Sequence, residues 1–231
     1  MKIALATLAV AAGAGAQAIT GLGFALVCAP FLIALTDARE GVRTAIFLGL
    51  FINIAMLIRE HHHVMVREGS LLAVPALAAT PLLAWALARD DTEVLAIVAG
   101  VLTLVSVAAL YVGLRLAIAR GMAGAIVAGF VSAAMNVIAA IGGPAAAVYA
   151  VNAGWEPARS RSTLQFYFFF LGVVGLLSLG LPSPSPVLGV GLVVGWLAGT
   201  MAAPRLSDRV VRTAILAVAA AGGIVAIAAN L

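Results

Sequence analysis

From Met122 to Ala153 the chain carries no charged residue, and the middle of that run reads Ala139-Ala140-Ile141-Gly142-Gly143-Pro144. A run this long and this apolar belongs in a lipid bilayer, where about 20 apolar residues cross the hydrocarbon as a helix. Its centre is poor material for a continuous helix. Each Gly costs a helix roughly 1 kcal/mol and an interior Pro about 3. Pro144 also removes a backbone donor and disfavours helix at Gly143. Backbone groups freed at membrane depth must be satisfied within the protein or line a water-filled cavity. The stretch is therefore a tolerated kink or the lining of a site.

The rest of the chain is of the same kind. Of its 231 residues, 64% are hydrophobic and only 10% charged, whereas soluble domains have roughly 25% charged residues. The length allows seven or eight spans and no attached soluble domain. The net charge of +4 is explained by arginines in short loops, the ordinary positive-inside pattern, so no nucleic-acid partner is implied. The single cysteine, Cys28, excludes an intrachain disulfide and a CxxC metal site. The fold class is all-α and polytopic.

Taken in order, Ile3 to Leu35 is a second long charge-free run, broken by Gly13, Gly15, Thr20-Gly21-Leu22-Gly23 and Pro30. Its start resembles a secretory signal, with Ala16-Gln17-Ala18 as a cleavage site. The repeat described next argues for keeping it in the fold. Spans follow at 44–58, 71–88 and 94–114, the last capped by Asp91 or Thr92. Arg115 and Arg120 mark a loop before the run 122–153. Glu156 to Arg161 is a charged loop, and spans at 164–181, 187–203 and 214–229 complete the chain. The Pro182-Ser183-Pro184-Ser185-Pro186 turn lies among them.

The order of parts repeats. Residues 1–118 and 119–231 each begin with a Gly- and Pro-broken run, continue through a short charged loop and end in three plainer spans. A register of 114 pairs Pro30 with Pro144, and after an insertion of five Asp37 pairs with Glu156 and Thr44 with Thr163. If both broken runs are single kinked spans, arginines fall on both sides. If both are hairpins that enter and return, one side keeps only Lys2, Arg39, Arg43 and Arg89, and the other takes the remaining nine. The greater asymmetry favours hairpins and makes the halves inverted repeats, a plan that places transporter sites near the midplane at broken helices. Lys2 on the arginine-poor side is a mark against it.

The paired four-element halves, the opening Thr20-Gly21-Leu22-Gly23-Phe24 with Pro30, the later Gly142-Gly143-Pro144 and the loops leading into Arg43-Thr44 and Ser162-Thr163 resemble the sulfite exporter TauE/SafE family. This group is also called the four-toluene-sulfonate uptake permease family. The resemblance covers essentially the whole chain and rests on the order and spacing of short motifs. It implies a multi-pass protein of the bacterial inner membrane that moves sulfur-containing anions such as sulfite, sulfonates and sulfoacetate. It leaves the individual substrate, the direction of transport and the oligomeric state open.

No charged residue falls well inside a predicted span, so a proton-coupling acid would have to sit at a loop edge, as Asp37, Glu40 or Glu156 do. Gln17, Thr20, Ser132 and Asn136 lie in the broken runs, and Gln165 on a following span. With Gly21, Gly23, Gly142 and Gly143 opening the backbone, they form the candidate substrate site. Backbone N–H groups at a half-helix start hold a small anion without a fixed cation, and neutral amides and hydroxyls add donors. The competing role of such side chains is hydrogen bonding between helices, the favoured reading for Thr44, Asn53 and Thr163. Tyr149 is a candidate gate or an interfacial aromatic. Cys28 reads as a small apolar residue. His61-His62-His63 lacks companion ligands and reads as a solvated patch. No cofactor or metal is called for, and no catalytic set is visible. The competing functions are a passive anion channel and a membrane assembly or accessory protein.

Overall fold

The computed structural model describes residues 1–114 and 121–231. Arg115 and Arg120 lie outside them. The described residues form ten helices: α1 (Lys2–Thr20), α2 (Phe24–Leu35), α3 (Ala38–Glu60), α4 (Val66–Ala86), α5 (Thr92–Tyr111), α6 (Gly121–Ala139), α7 (Gly143–Asn152), α8 (Pro157–Leu179), α9 (Pro186–Ala202) and α10 (Asp208–Ala228). All but α2 and α7 are long and apolar enough to cross a membrane. Large apolar side chains such as Leu82, Trp85, Val190 and Leu197 lie exposed on them, as lipid contact requires.

The helices start before the apolar windows of the sequence. α3 begins at Ala38 rather than near Thr44, because Asp37 caps it, accepting from the Arg39 and Glu40 N–H groups at 2.9 and 3.0 Å. Asp91 caps α5 in the same manner through Glu93 N–H. Charge marks where the hydrocarbon ends, whereas a cap marks where the helix starts, and the two differ from Ala38 to Thr44 at α3 and from Thr92 to Val94 at α5.

Each broken run is a long helix followed by a short one that folds back along it. Lys2, Ile3 and Ala6 at the start of α1 share a cavity wall with Leu32, Leu35 and Thr36 at the end of α2. Arg39 donates to the Ala88 and Asp90 carbonyls, and Glu40 accepts from Ser183 N–H. One face of the bundle therefore collects the start of α1, the α2–α3 junction and the α4–α5 and α8–α9 turns. On the opposite face Arg161 pairs with Glu60 at 3.8 Å, Met65 N–H donates to Thr163 Oγ1, and Arg212 donates to the Leu110 carbonyl. α6 starts at this second face. Gly129 abuts Leu72 and Pro75 early in α4, and Asn136 abuts Gly175 well along α8. α7 returns to the second face, ending beside the start of α8.

The first arms end alike. Gly21 and Ala140 both have positive φ, 80° and 60°, and their N–H groups bond back to the Gln17 and Asn136 carbonyls at 2.7 and 2.8 Å. Both are left-handed helix caps, and at the second the Ile141 N–H also bonds back, to the Met135 carbonyl at 3.3 Å. The two caps, like Gln17 and Asn136 themselves, lie 119 residues apart. The register of 114 instead pairs Pro30, which lies inside α2, with Pro144, which opens α7. The prolines thus occupy different places in their helices, and the left-handed caps are the feature that the two breaks share.

Small residues set the helix packing. α1 and α9 run parallel, with Gly191, Gly195 and Gly199 facing Thr7, Ala11 and Gly15. A Cβ on Gly195 would overlap the Ala11 backbone, whereas one on Gly189 would meet nothing within 4 Å. Gly195→Ala is expected to lower stability by about 1–3 kcal/mol. Gly189→Ala should leave it unchanged or raise it by up to about 1 kcal/mol. Thermal unfolding of the two variants in one detergent checks this; equal midpoints would refute the packing argument.

Candidate functional site

A cavity of about 640 Å³ lies between the two breaks. Its mouth is formed by Leu110, Trp155, Pro157, Ser160, Arg161 and Arg212, so it opens to the face that bears the Arg161–Glu60 pair. Its wall includes Gln17, Thr20, Gly23, Asn53, Asn136, Gly142, Gly143 and Pro144, with apolar Phe24, Ile46, Ile141, Phe168 and Leu171 between them. Both short helices begin on this wall, α2 at Gly23–Ala25 and α7 at Gly142–Pro144. The positive ends of their backbone dipoles therefore lie at one space.

The break between α1 and α2 is held by amides. Gln17 Oε1 accepts the Phe24 N–H at 3.0 Å. Its Nε2 donates to Asn53 Oδ1 at 3.4 Å and to Gln165 Oε1 at 3.3 Å. Gln165 Nε2 in turn donates to the Gly21 carbonyl at 2.6 Å. Groups left open by the turn are thus satisfied by side chains from α1 and α8. The Thr20 hydroxyl donates to the Ala16 carbonyl at 2.8 Å and accepts the Leu22 N–H. Gly21 and Gly23, with φ of 80° and 124°, supply the left-handed turn that a side chain resists.

The break between α6 and α7 is held differently. Ser132 Oγ donates to the Gly142 carbonyl at 2.7 Å and accepts from Tyr167 OH at 2.7 Å. Gly142 does not need a positive φ. It needs the absence of a side chain, since a Cβ would lie 2.7 Å from both Ser132 O and Oγ. Asn136 is 7% exposed and lines the cavity, and its Nδ2 has no hydrogen-bond partner among the described residues. A buried amide donor left open costs about 1–3 kcal/mol, and a ligand that accepts from it would recover that.

The sequence candidates therefore separate. Gln17, Thr20, Gly23, Asn136, Gly142 and Gly143 face the cavity. Gly21, Ser132 and Gln165 stand behind the wall and brace it, with Ser132 and Gln165 fully buried. Tyr149 is buried edge-on against Trp155, with ring centroids 5.6 Å apart, and is not on the wall. Asp37 caps α3 on the opposite face, and Glu156 is an exposed partner of Arg159 at 3.5 Å. Of the helix-bonding candidates, Thr163 bonds across to Met65, while Asn53 bonds to Gln17 and also lines the cavity. Sequence reasoning missed the two mouth arginines and Ala140. Arg161 stands one helical turn before Gln165, a spacing that marks a shared face. Ala140 gives no signal, because nothing about an alanine announces a positive φ.

A smaller cavity of about 250 Å³ opens on the other face, lined by Lys2, Glu40, Thr44 and Ser183 among others. Between the two cavities α1 places Val10 and Ala14, and α2 places Val27, Cys28 and Ala29, all at most 1% exposed.

Eight helices long and apolar enough to cross a membrane, with two short helices starting at a shared internal cavity, define a polytopic membrane protein of the broken-helix kind. Residues 5–226 match the family model described as Sulfite exporter TauE/SafE. The chain belongs to this family. No curated protein and no solved structure matches it.

Gly142→Ala is expected to displace Ser132 and lower stability by about 1–3 kcal/mol, while Gly143→Ala, whose nearest neighbour is 3.8 Å away, should fold normally. Unfolding midpoints in detergent check this, and a Gly142→Ala protein as stable as wild type would refute the assignment of Ser132 as the brace.

Proposed function

We propose that the protein carries small anions of the sulfite, sulfonate and sulfoacetate class across a bacterial inner membrane by alternating access. The observation that carries this reading is the unpartnered Asn136 Nδ2 on the wall of a cavity where two short helices begin. Membership of the sulfite exporter family supports the substrate class. Asn136 donates to the anion. Asn53, whose Oδ1 is taken by Gln17, offers its amino group. The starts of α2 and α7 supply amide N–H and dipole. Gln17, Thr20 and Gln165 hold the first break in shape, and Ser132 holds the second.

We read residues 1–118 and 119–231 as inverted repeats. Supporting this, α1 and α6 begin on opposite faces and each long arm ends in the same kind of cap. The arginines support an orientation. Arg59, Arg67, Arg159, Arg161, Arg205, Arg209 and Arg212 lie towards the face onto which the large cavity opens, against Lys2, Arg39, Arg43 and Arg89 on the other. By the positive-inside rule that face is cytoplasmic. The buried layer between the two cavities favours a carrier over an open channel.

Uptake or exchange of sulfite in proteoliposomes tests the proposal. Wild-type flux is expected to saturate with concentration. Asn136→Ala should raise KM roughly tenfold, the equivalent of about 1.4 kcal/mol, with folded yield unchanged. Flux that rises linearly without limit would identify a channel. No flux of sulfite, sulfonates or related anions would refute transport.

A further inference from the structure

Arg161 and Arg212 are the only charged residues on the wall of the large cavity among the described residues, and both stand at its mouth. They come from different helices, α8 and α10, and each is held in place. The aliphatic stem of Arg161 lies over Gly21, where any Cβ would overlap it. The glycine of the first break thus does two jobs, turning the chain and making room for the arginine. Arg212 is anchored at the end of α5 by its bond to the Leu110 carbonyl.

Arg161 is incompletely matched. Its nearest carboxylate oxygen, Glu60 Oε2, is 3.8 Å from Nε, too far for a hydrogen bond, and Nε is buried without a partner. A guanidinium has five donors in a planar fork that suits the oxygens of an oxyanion. Here that fork meets a distant counter-ion that an arriving anion can replace. Among the described side chains, two wall cations against one paired carboxylate leave the mouth net positive, and the apolar wall around them focuses such a field.

We propose that Arg161 and Arg212 form a charge-selecting throat that captures the anion before it reaches Asn136, with Glu60 as the counter-ion that the substrate displaces from Arg161. The throat discriminates by net charge, turning away cations and neutral solutes. It sets capture rather than the rate of translocation. This rests on the anion-carrier reading above.

The test is sulfite flux in proteoliposomes at low and high ionic strength. Wild-type KM is expected to rise as salt screens the throat. Arg161→Gln and Arg212→Gln should each raise KM about tenfold at low salt, leave kcat within about twofold, and flatten the salt dependence. Glu60→Gln should lower KM by removing the competing carboxylate. Arg161→Lys should keep the salt dependence while recovering only part of the affinity, since a point charge lacks the fork. Asn136→Ala should raise KM without altering the salt dependence. If Arg161→Gln fails to fold, Arg212→Gln, Arg161→Lys and Glu60→Gln carry the test. Normal sulfite flux with KM and salt dependence unchanged in the arginine variants that fold overturns the throat alone. Absence of flux in the wild type overturns the carrier reading on which it rests.

Discussion

The structure depends on what a bilayer demands of a helix that stops inside it. In hydrocarbon no water takes over the hydrogen bonds of a broken backbone, so every open amide and carbonyl at the breaks needs a partner in the protein. The chain meets this demand twice by one route, a left-handed cap that returns Gly21 N–H to Gln17 and Ala140 N–H to Asn136. In both places the residue whose carbonyl closes the helix also presents its side-chain amide at the cavity. The polar groups that make a break tolerable are therefore the groups nearest to any solute that enters. Stability and site chemistry draw on the same few residues.

The breaks are then treated differently. Around the first, side-chain amides make a closed set, with Gln17 and Gln165 satisfying each other, the Gly21 carbonyl and the Phe24 N–H. Around the second, hydroxyls of Ser132 and Tyr167 secure the Gly142 carbonyl, and Asn136 Nδ2 is left with nothing to bond. On the first side only Asn53, itself a partner of Gln17, keeps an amide N–H to offer, whereas the second side holds a buried donor with no partner at all among the described residues. That asymmetry directs attention to Asn136 rather than Gln17, although the sequence treats the two alike.

Much of this was legible in the residues. The apolar runs counted the helices, the glycines and Pro144 located the breaks, and Asp91 located one helix start. Other features were not. The helices start before their apolar windows, and at α3 and α5 a capping aspartate, not hydropathy, sets the start. The likeness of the two breaks rests on backbone shape at Ala140, and alanine shows no trace of it, so matching the prolines alone does not reveal it. The convergence of Arg161 and Arg212 on one opening joins residues about 50 positions apart, and only the packing of α8 and α10 around the cavity brings them together.

The parallel packing of α1 on α9 has a consequence for how the protein is made. Thr7 and its glycine partner Gly191 are 184 residues apart. At the usual pace of synthesis, about 5–20 residues per second, α1 waits roughly 10–40 s in the membrane before α9 exists. During that time its small-residue stripe lacks the α9 glycines, and Gln17 lacks the Gln165 amide that later holds it. α1 thus completes its packing late, and the bundle closes around it with a helix made long after it.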